Sequence, residues 1–216
     1  MISTCSYSNY ESDAFNVISI SGDKGASVGF KGAYYKPLAP KKDFWTVWHN
    51  NIGVISETEN LKYYVTEYYK QCLSVLNPEE VYKELDNSIL LCYEPSLIFC
   101  HRDIVAAWFK LFLGIEIPEV KVVGFRIIEQ QRFDVTNILE EVIRENTDLK
   151  GFECIQAYYM FEKSNKLDDE AYELEKLGKE SDSLRNQACF LRCDADMLED
   201  EYKYRKRKKK FKYEQN

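Results

Sequence analysis

Residues 88–113, SILLCYEPSLIFCHRDIVAAWFKLFL, put an apolar strand, a short polar loop and an apolar helix in direct succession. Residues 89–93 form an apolar run too short for a helix, the pattern of a strand covered on both faces, and so of a parallel or mixed sheet. Pro95 ends it. From Ile104 onward the residues are apolar on nearly every side except at Lys110, which predicts a helix packed deep in the domain. Between the two stand Cys100, His101 and Arg102, just past the carboxyl end of a strand and at the start of a helix. There backbone N–H groups are free and the helix dipole favours an anion or a thiolate.

The flanking chain supports an α/β class. Residues 1–4 read as an opening strand and 15–20 as a second, each leading into a loop. If the strands are parallel, Ser6, Tyr7 and Asn9 face the same rim as Cys100, and so does the turn carrying Ser21 and Gly22. The glycines at 22, 25, 29 and 32 match neither a P-loop nor a dinucleotide fingerprint, so a mobile loop is expected. Phe44, Trp45 and Trp48 follow two prolines and suggest a segment packing its rings over the rim or core. His49 reads as a surface or loop-packing side chain. Ser56 and Glu59 form a capping box for a helix whose Tyr64 and Tyr68 belong to a core stripe rather than a stacking platform. Asn77 and Pro78 open a shorter helix, and residues 119–125 supply the last strand.

From residue 134 the pattern is helical, over 135–145, 152–163, 168–179 and 183 to about 205, without a clean heptad. A helical hairpin, set on the domain or on a second subunit in a homo-oligomer, fits better than a long coiled coil. The expected organisation is an α/β domain over 1–133, a helical extension over 134–202 and a disordered basic tail over 203–216. The sheet is expected to be mixed or mostly parallel, with four or five strands flanked by helices in three layers.

Composition narrows the function classes. With 45% apolar and 14% aromatic residues in 216, general disorder is excluded. No run of 18 apolar residues and no secretory leader is visible, so a cytoplasmic protein without a membrane span is expected. Seven cysteines, an odd number lying mostly in apolar stretches, suit reduced thiols. Eight cations crowd residues 203–212, and removing them takes the net charge from −7 to about −15. An acidic body repels nucleic acid, whereas Arg205, Lys206, Arg207, Lys208, Lys209 and Lys210 are candidates for contacting it.

The strand ending Leu91-Cys92-Tyr93-Glu94-Pro95, the Cys100-His101-Arg102 loop and the Trp-containing helix together resemble the family called domain of unknown function 488. Ser6-Tyr7 with Asn9, Ile18-Ser19-Ile20-Ser21, and residues 30–40 ending Leu38-Ala39-Pro40 extend the resemblance over about residues 1–120. It implies a fold and a shared Cys-His-Arg motif, and no settled activity.

Three readings of that motif are open. Cys100 acts as a thiolate nucleophile, with His101 or Glu94 moving the proton and Arg102 holding an anionic, nucleotide-like or nucleic-acid substrate. Alternatively His101 and Arg102 grip a ligand and nothing is turned over. In the third, Cys100 is a buried hydrophobe, Arg102 pairs with Glu94 or Asp103, and His101 is a satisfied hydrogen-bonding group. No cofactor is expected. The Cys92, Cys100, His101 spacing is not a standard zinc pattern, so no metal is expected either.

Overall fold

The computed structural model describes the backbone of residues 1–214 and the side chains of residues 1–208. Residues 1–146 and 147–216 form two compact units. The first is built on one sheet of seven strands: β1 (Ser3–Ser6), β2 (Tyr10–Glu11), β3 (Val17–Ser19), β4 (Ala33–Tyr34), β5 (Ile89–Cys92), β6 (Glu119–Val123) and β7 (Arg126–Gln130). β5 lies at the centre, with Ser3 opposite Ile89 and Ser6 opposite Cys92 on one flank, and Ser19 opposite Leu91 on the other. All four of its residues are buried, as a continuous apolar run requires. β1 and β2 pair with β6 in succession, Thr4 with Glu119 and then Tyr10 with Val122, across the 3₁₀ turn Tyr7–Asn9. β4 pairs with β3 at the far edge.

Every pairing is parallel except that of β7 with β6, so the α/β class with a mostly parallel sheet holds. The expected four or five strands become seven because β2 and β4 are two-residue pieces and because β6 is not the last. The chain turns at Gly124, whose φ of +57° suits glycine, and returns as an antiparallel edge. Parallel pairing brings the carboxyl ends of β1, β3 and β5 to one edge, where the loops after them open together.

Helix α1 (Lys42–Asn50) follows the loops, then α2 (Glu57–Tyr68), which starts with the Ser56–Glu59 capping box and closes in a π-helical turn, Tyr69–Leu73. Asn77 caps α3 (Pro78–Glu84). In α4 (His101–Leu113) every residue from His101 to Phe109 is buried, which is why its sequence has no polar stripe. α5 (Thr136–Asn146) buries Leu139, Val142 and Ile143 and belongs to this unit. The division therefore falls after Asn146 rather than at residue 134, since a helix that buries apolar residues goes with the core they join.

The second unit is a hairpin of α6 (Ile155–Lys176) and α7 (Asp182–Glu214). The break expected near Ser164 is absent: the helix runs through it, and the serine hydroxyl donates to the Phe161 carbonyl at 2.7 Å. Ala157, Ser164, Ala171, Ala188 and Ala195 are all fully buried, small residues that permit close helix approach. α7 takes in the basic run, so residues 203–214 are helical where a disordered tail was expected. No helix of the described residues is long and apolar enough to cross a membrane.

Candidate active site

Cys92 ends β5 and Cys100 is the N-cap of α4, so the strand, a seven-residue loop and the helix bring both sulfurs to the carboxyl edge of the sheet. The Cys100 N–H donates to Asp103 Oδ2 at 3.0 Å, which fixes the start of the helix. His101 then faces back toward the strand. Its Nε2 lies 2.9 Å from the Ile20 carbonyl oxygen, which can only accept. Nε2 therefore carries a proton; Nδ1 lies 3.7 Å from Cys100 Sγ, and Cys92 Sγ stands over the ring, 3.5 Å from Nδ1 and 3.8 Å from Nε2. Glu94 Oε2 lies 3.7 Å from Cys92 Sγ.

The electrostatics of the cluster are uneven. Burial pushes the Cys92 thiol well up, and its hydrogen bond to Cys100 adds to this. Burial works against ionisation of Cys100 too, but the Cys92 hydrogen bond and the His101 charge outweigh it and hold that thiol well below the ordinary range. Burial, reinforced by the Cys100 charge, pushes the Glu94 carboxyl up to about 7, and the Asp103 carboxyl likewise to about 7.

Above the cluster lies a cavity of about 690 Å³. Cys92, Glu94, Cys100 and His101 make its floor. Its walls are largely aromatic, from Trp45, Trp48, Tyr64, Tyr93 and Phe99, with Lys42 and Asp23 among the polar lining residues. Trp48 and Phe99 meet edge to face at 6.2 Å, and Tyr64 bridges to Phe99 at 5.2 Å and Tyr68 at 6.1 Å.

Ser21 and Gly22 line the cavity as the sequence suggests. Ser6, Tyr7 and Asn9 stand at the same edge without lining it. The Tyr7 hydroxyl donates to Ser19 Oγ at 2.6 Å and its ring packs on Tyr93 at 5.0 Å, so it supports the wall. Asn9 donates to Ser96 Oγ at 3.3 Å, and Ser6 bonds Ser8. The glycine loop is pinned rather than loose. Asp23 accepts hydrogen bonds from Gly25 N, Ser27 N, Ser27 Oγ and Tyr93 OH. A Cβ on Gly25, at φ +79°, would come within 2.6 Å of the Tyr7 hydroxyl.

Arg102 corrects the sequence reading. It is fully buried, absent from the cavity lining, and paired with Glu119 rather than with Glu94 or Asp103. Helical geometry turns it away from its neighbour His101 and under the sheet edge. Arg132 joins it there, bonding Thr4 Oγ1 at 2.7 Å and the Ile117 carbonyl at 2.9 Å, with Asp103 3.6 Å away. Sequence reasoning missed Asp23, Lys42 and the lining role of Tyr64, the last because its helical spacing places it in a core stripe and its ring is indeed 3% exposed. Trp45 and Trp48 do cover the site, whereas Phe44 joins the core. His49 stacks on Trp45 at 5.0 Å, the packing role expected of it.

Arg205 pairs with Glu201 and Lys206 with Glu153, while Arg207 and Lys208 are exposed. The side chains of Lys209 and Lys210 lie outside the described residues. No model of a known protein family, no curated protein and no solved structure matches the chain.

Proposed function

We propose that the first unit is an enzyme that takes a flat, anionic, nucleotide-like molecule into the cavity and acts on it at the Cys92, Glu94, Cys100, His101 floor. One observation carries this reading: two thiols, an imidazole and a carboxyl converge at the bottom of a 690 Å³ cavity with aromatic walls. Small-ligand sites span roughly 300–1,000 Å³, and perturbed titratable groups at the base of such a cavity are the usual mark of chemistry. Aromatic faces hold a base ring by stacking, at about 1–3 kcal/mol each. Lys42, at the first turn of α1, offers a cation and a helix N-terminus to a phosphate. Asp23 and Glu94 in the same lining favour a ligand whose negative charge is confined to that end.

Trp45 and Trp48 line the cavity, whereas Trp108 is sealed in the core at 1% exposure and serves as an internal reference. Nucleoside monophosphates should quench the two cavity tryptophans. Lys42→Ala should weaken their binding about tenfold, near 1.4 kcal/mol, while leaving the parent nucleosides unaffected. Absence of quenching by every nucleotide and nucleoside of the panel refutes the proposal. Quenching without chemical change in any bound compound favours the alternative, a binding module that turns nothing over.

A further inference from the structure

We propose that Cys92, Cys100 and His101 hold a zinc ion whose fourth position opens into the cavity, with Glu94 beside that position as proton acceptor. The inference rests on the reading that the cavity is the working site, and it names the chemistry at its floor.

The donor atoms of the three residues are close enough to share one central ion. With Zn–S near 2.3 Å and Zn–N near 2.0–2.1 Å in a tetrahedron, a sulfur and a ring nitrogen stand about 3.6 Å apart. The His101 Nδ1 lies 3.5 Å from one sulfur and 3.7 Å from the other, and the three donor atoms fall within 4.8 Å of one another. Cys100 Sγ stands 3.7 Å from Nδ1, and Cys92 Sγ, over the ring at 3.5 Å from Nδ1 and 3.8 Å from Nε2, has only to turn toward Nδ1 to share an ion with it. The ring is also held as a ligand's is held: its other nitrogen donates to the Ile20 carbonyl at 2.9 Å, which leaves Nδ1 as the nitrogen open to a metal.

Charge and burial agree with this. The three residues are 2%, 3% and 5% exposed, and when zinc displaces the two thiol protons one divalent cation balances both thiolates in full. Two sulfurs and one nitrogen select zinc over the oxygen-seeking cations. Three protein ligands are one short of the four of a closed structural site, the pattern of a catalytic one. Glu94 is outside the donor set, yet it lines the cavity 3.7 Å from Cys92 Sγ. It is placed to take a proton from a water in the open position. The oxygen then bonds to an electrophilic centre of the ligand, the bond to the leaving group breaks, and Glu94 passes the proton to the departing group. The class of reaction is hydrolysis.

The test uses metal alone. Co²⁺ titrated into the reduced, metal-free full chain should bind as one equivalent, with sulfur-to-cobalt charge-transfer absorption and the strong visible bands of a tetrahedral site, and Zn²⁺ should displace it. Cys92→Ser should cut the charge-transfer intensity per bound cobalt to about half, one thiolate replacing two. Cys189→Ser with Cys193→Ser, which removes the exposed pair on α7, should change nothing. A folded wild-type chain giving no such bands overturns the proposal whether or not the cysteine variant folds. So do bands that survive Cys92→Ser and vanish with the α7 pair. No cavity ligand enters the titration, so its failure leaves the tryptophan-quenching result standing, and the reverse.

Discussion

Arg102 Nε donates to both carboxylate oxygens of Glu119, at 3.2 and 3.1 Å, with both side chains 1% exposed. The pair ties the first turn of α4 to the first residue of β6, and Thr4 Oγ1 adds a 2.7 Å bond to the same carboxylate. It is not fully compensated, because Arg102 Nη1 and Nη2 are buried without a hydrogen-bond partner among the described residues. Breaking it from one side should therefore cost far more than replacing it. Glu119→Gln leaves a buried cation without its anion and should destabilise the fold by about 3–5 kcal/mol, whereas Arg102→Met with Glu119→Leu should recover most of that loss. Urea midpoints of the three chains decide. A Glu119→Gln chain as stable as wild type would falsify this account.

The same pair shows where sequence reading runs out. Arg102 was legible as the partner of some carboxylate, and closeness along the chain pointed to Glu94 or Asp103. Its partner lies 17 residues on and comes within reach only because β6 pairs beside β1. Cys100, His101 and Glu94 were legible as neighbours because strand, loop and helix follow without a gap. Ser21, Gly22, Trp45 and Trp48 were legible as rim or cover, whereas Asp23, Lys42 and Tyr64 were not, since they meet the floor only through the tertiary fold. Helical spacing placed Tyr64 and Tyr68 on one face correctly, but periodicity cannot separate a ring that lines a cavity from one that fills a core. β7 escaped because its residues 126–130 are exposed or half-exposed, with no apolar alternation to announce an edge strand.

Asp23 sets an acid limit on the cavity wall. Burial acts to raise its carboxyl, but the hydrogen bonds from Tyr93 and Ser27 outweigh it and hold it far below the ordinary carboxylate range. A group depressed in the fold stabilises above its unfolded pKa of about 3.9, and that contribution is lost as pH falls toward the folded value. Wild type should thus lose more stability between pH 7 and pH 3 than Asp23→Asn does. Equal losses in urea midpoint for the two chains would show that Asp23 does not order the loop through its charge.

Tyr68 donates to the Leu38 carbonyl at 2.6 Å, both residues being fully buried, and so holds the segment that ends at the cavity-lining Pro40. Tyr68→Phe keeps the ring and strands the carbonyl, which should cost about 1–3 kcal/mol. For a chain of this size each kcal/mol corresponds to a drop of about 2–4 °C in melting temperature. A calorimetric scan with no drop would mean that water reaches Leu38 once the hydroxyl is gone.

At the basic end of α7 several cations already hold carboxylate partners that a nucleic acid would have to displace. Arg205 is held by Glu201 at 2.6 Å, Lys206 by Glu153 at 2.7 Å, and Lys203 by Glu199 at 3.0 Å. These pairs are exposed and individually weak, yet each must be given up before its cation can neutralise a phosphate. A single-stranded oligonucleotide should bind the full chain and not the chain truncated after Glu201. At about 0.7 per phosphate neutralised, opening the pairs of Arg205 and Lys206 on binding should steepen the slope of log affinity against log salt by about 1.4. Glu153→Gln, which frees Lys206 beforehand, should then tighten the complex. Affinity unchanged by the truncation removes the basic end of α7 from the interface and overturns the assignment of its cations to nucleic-acid contact.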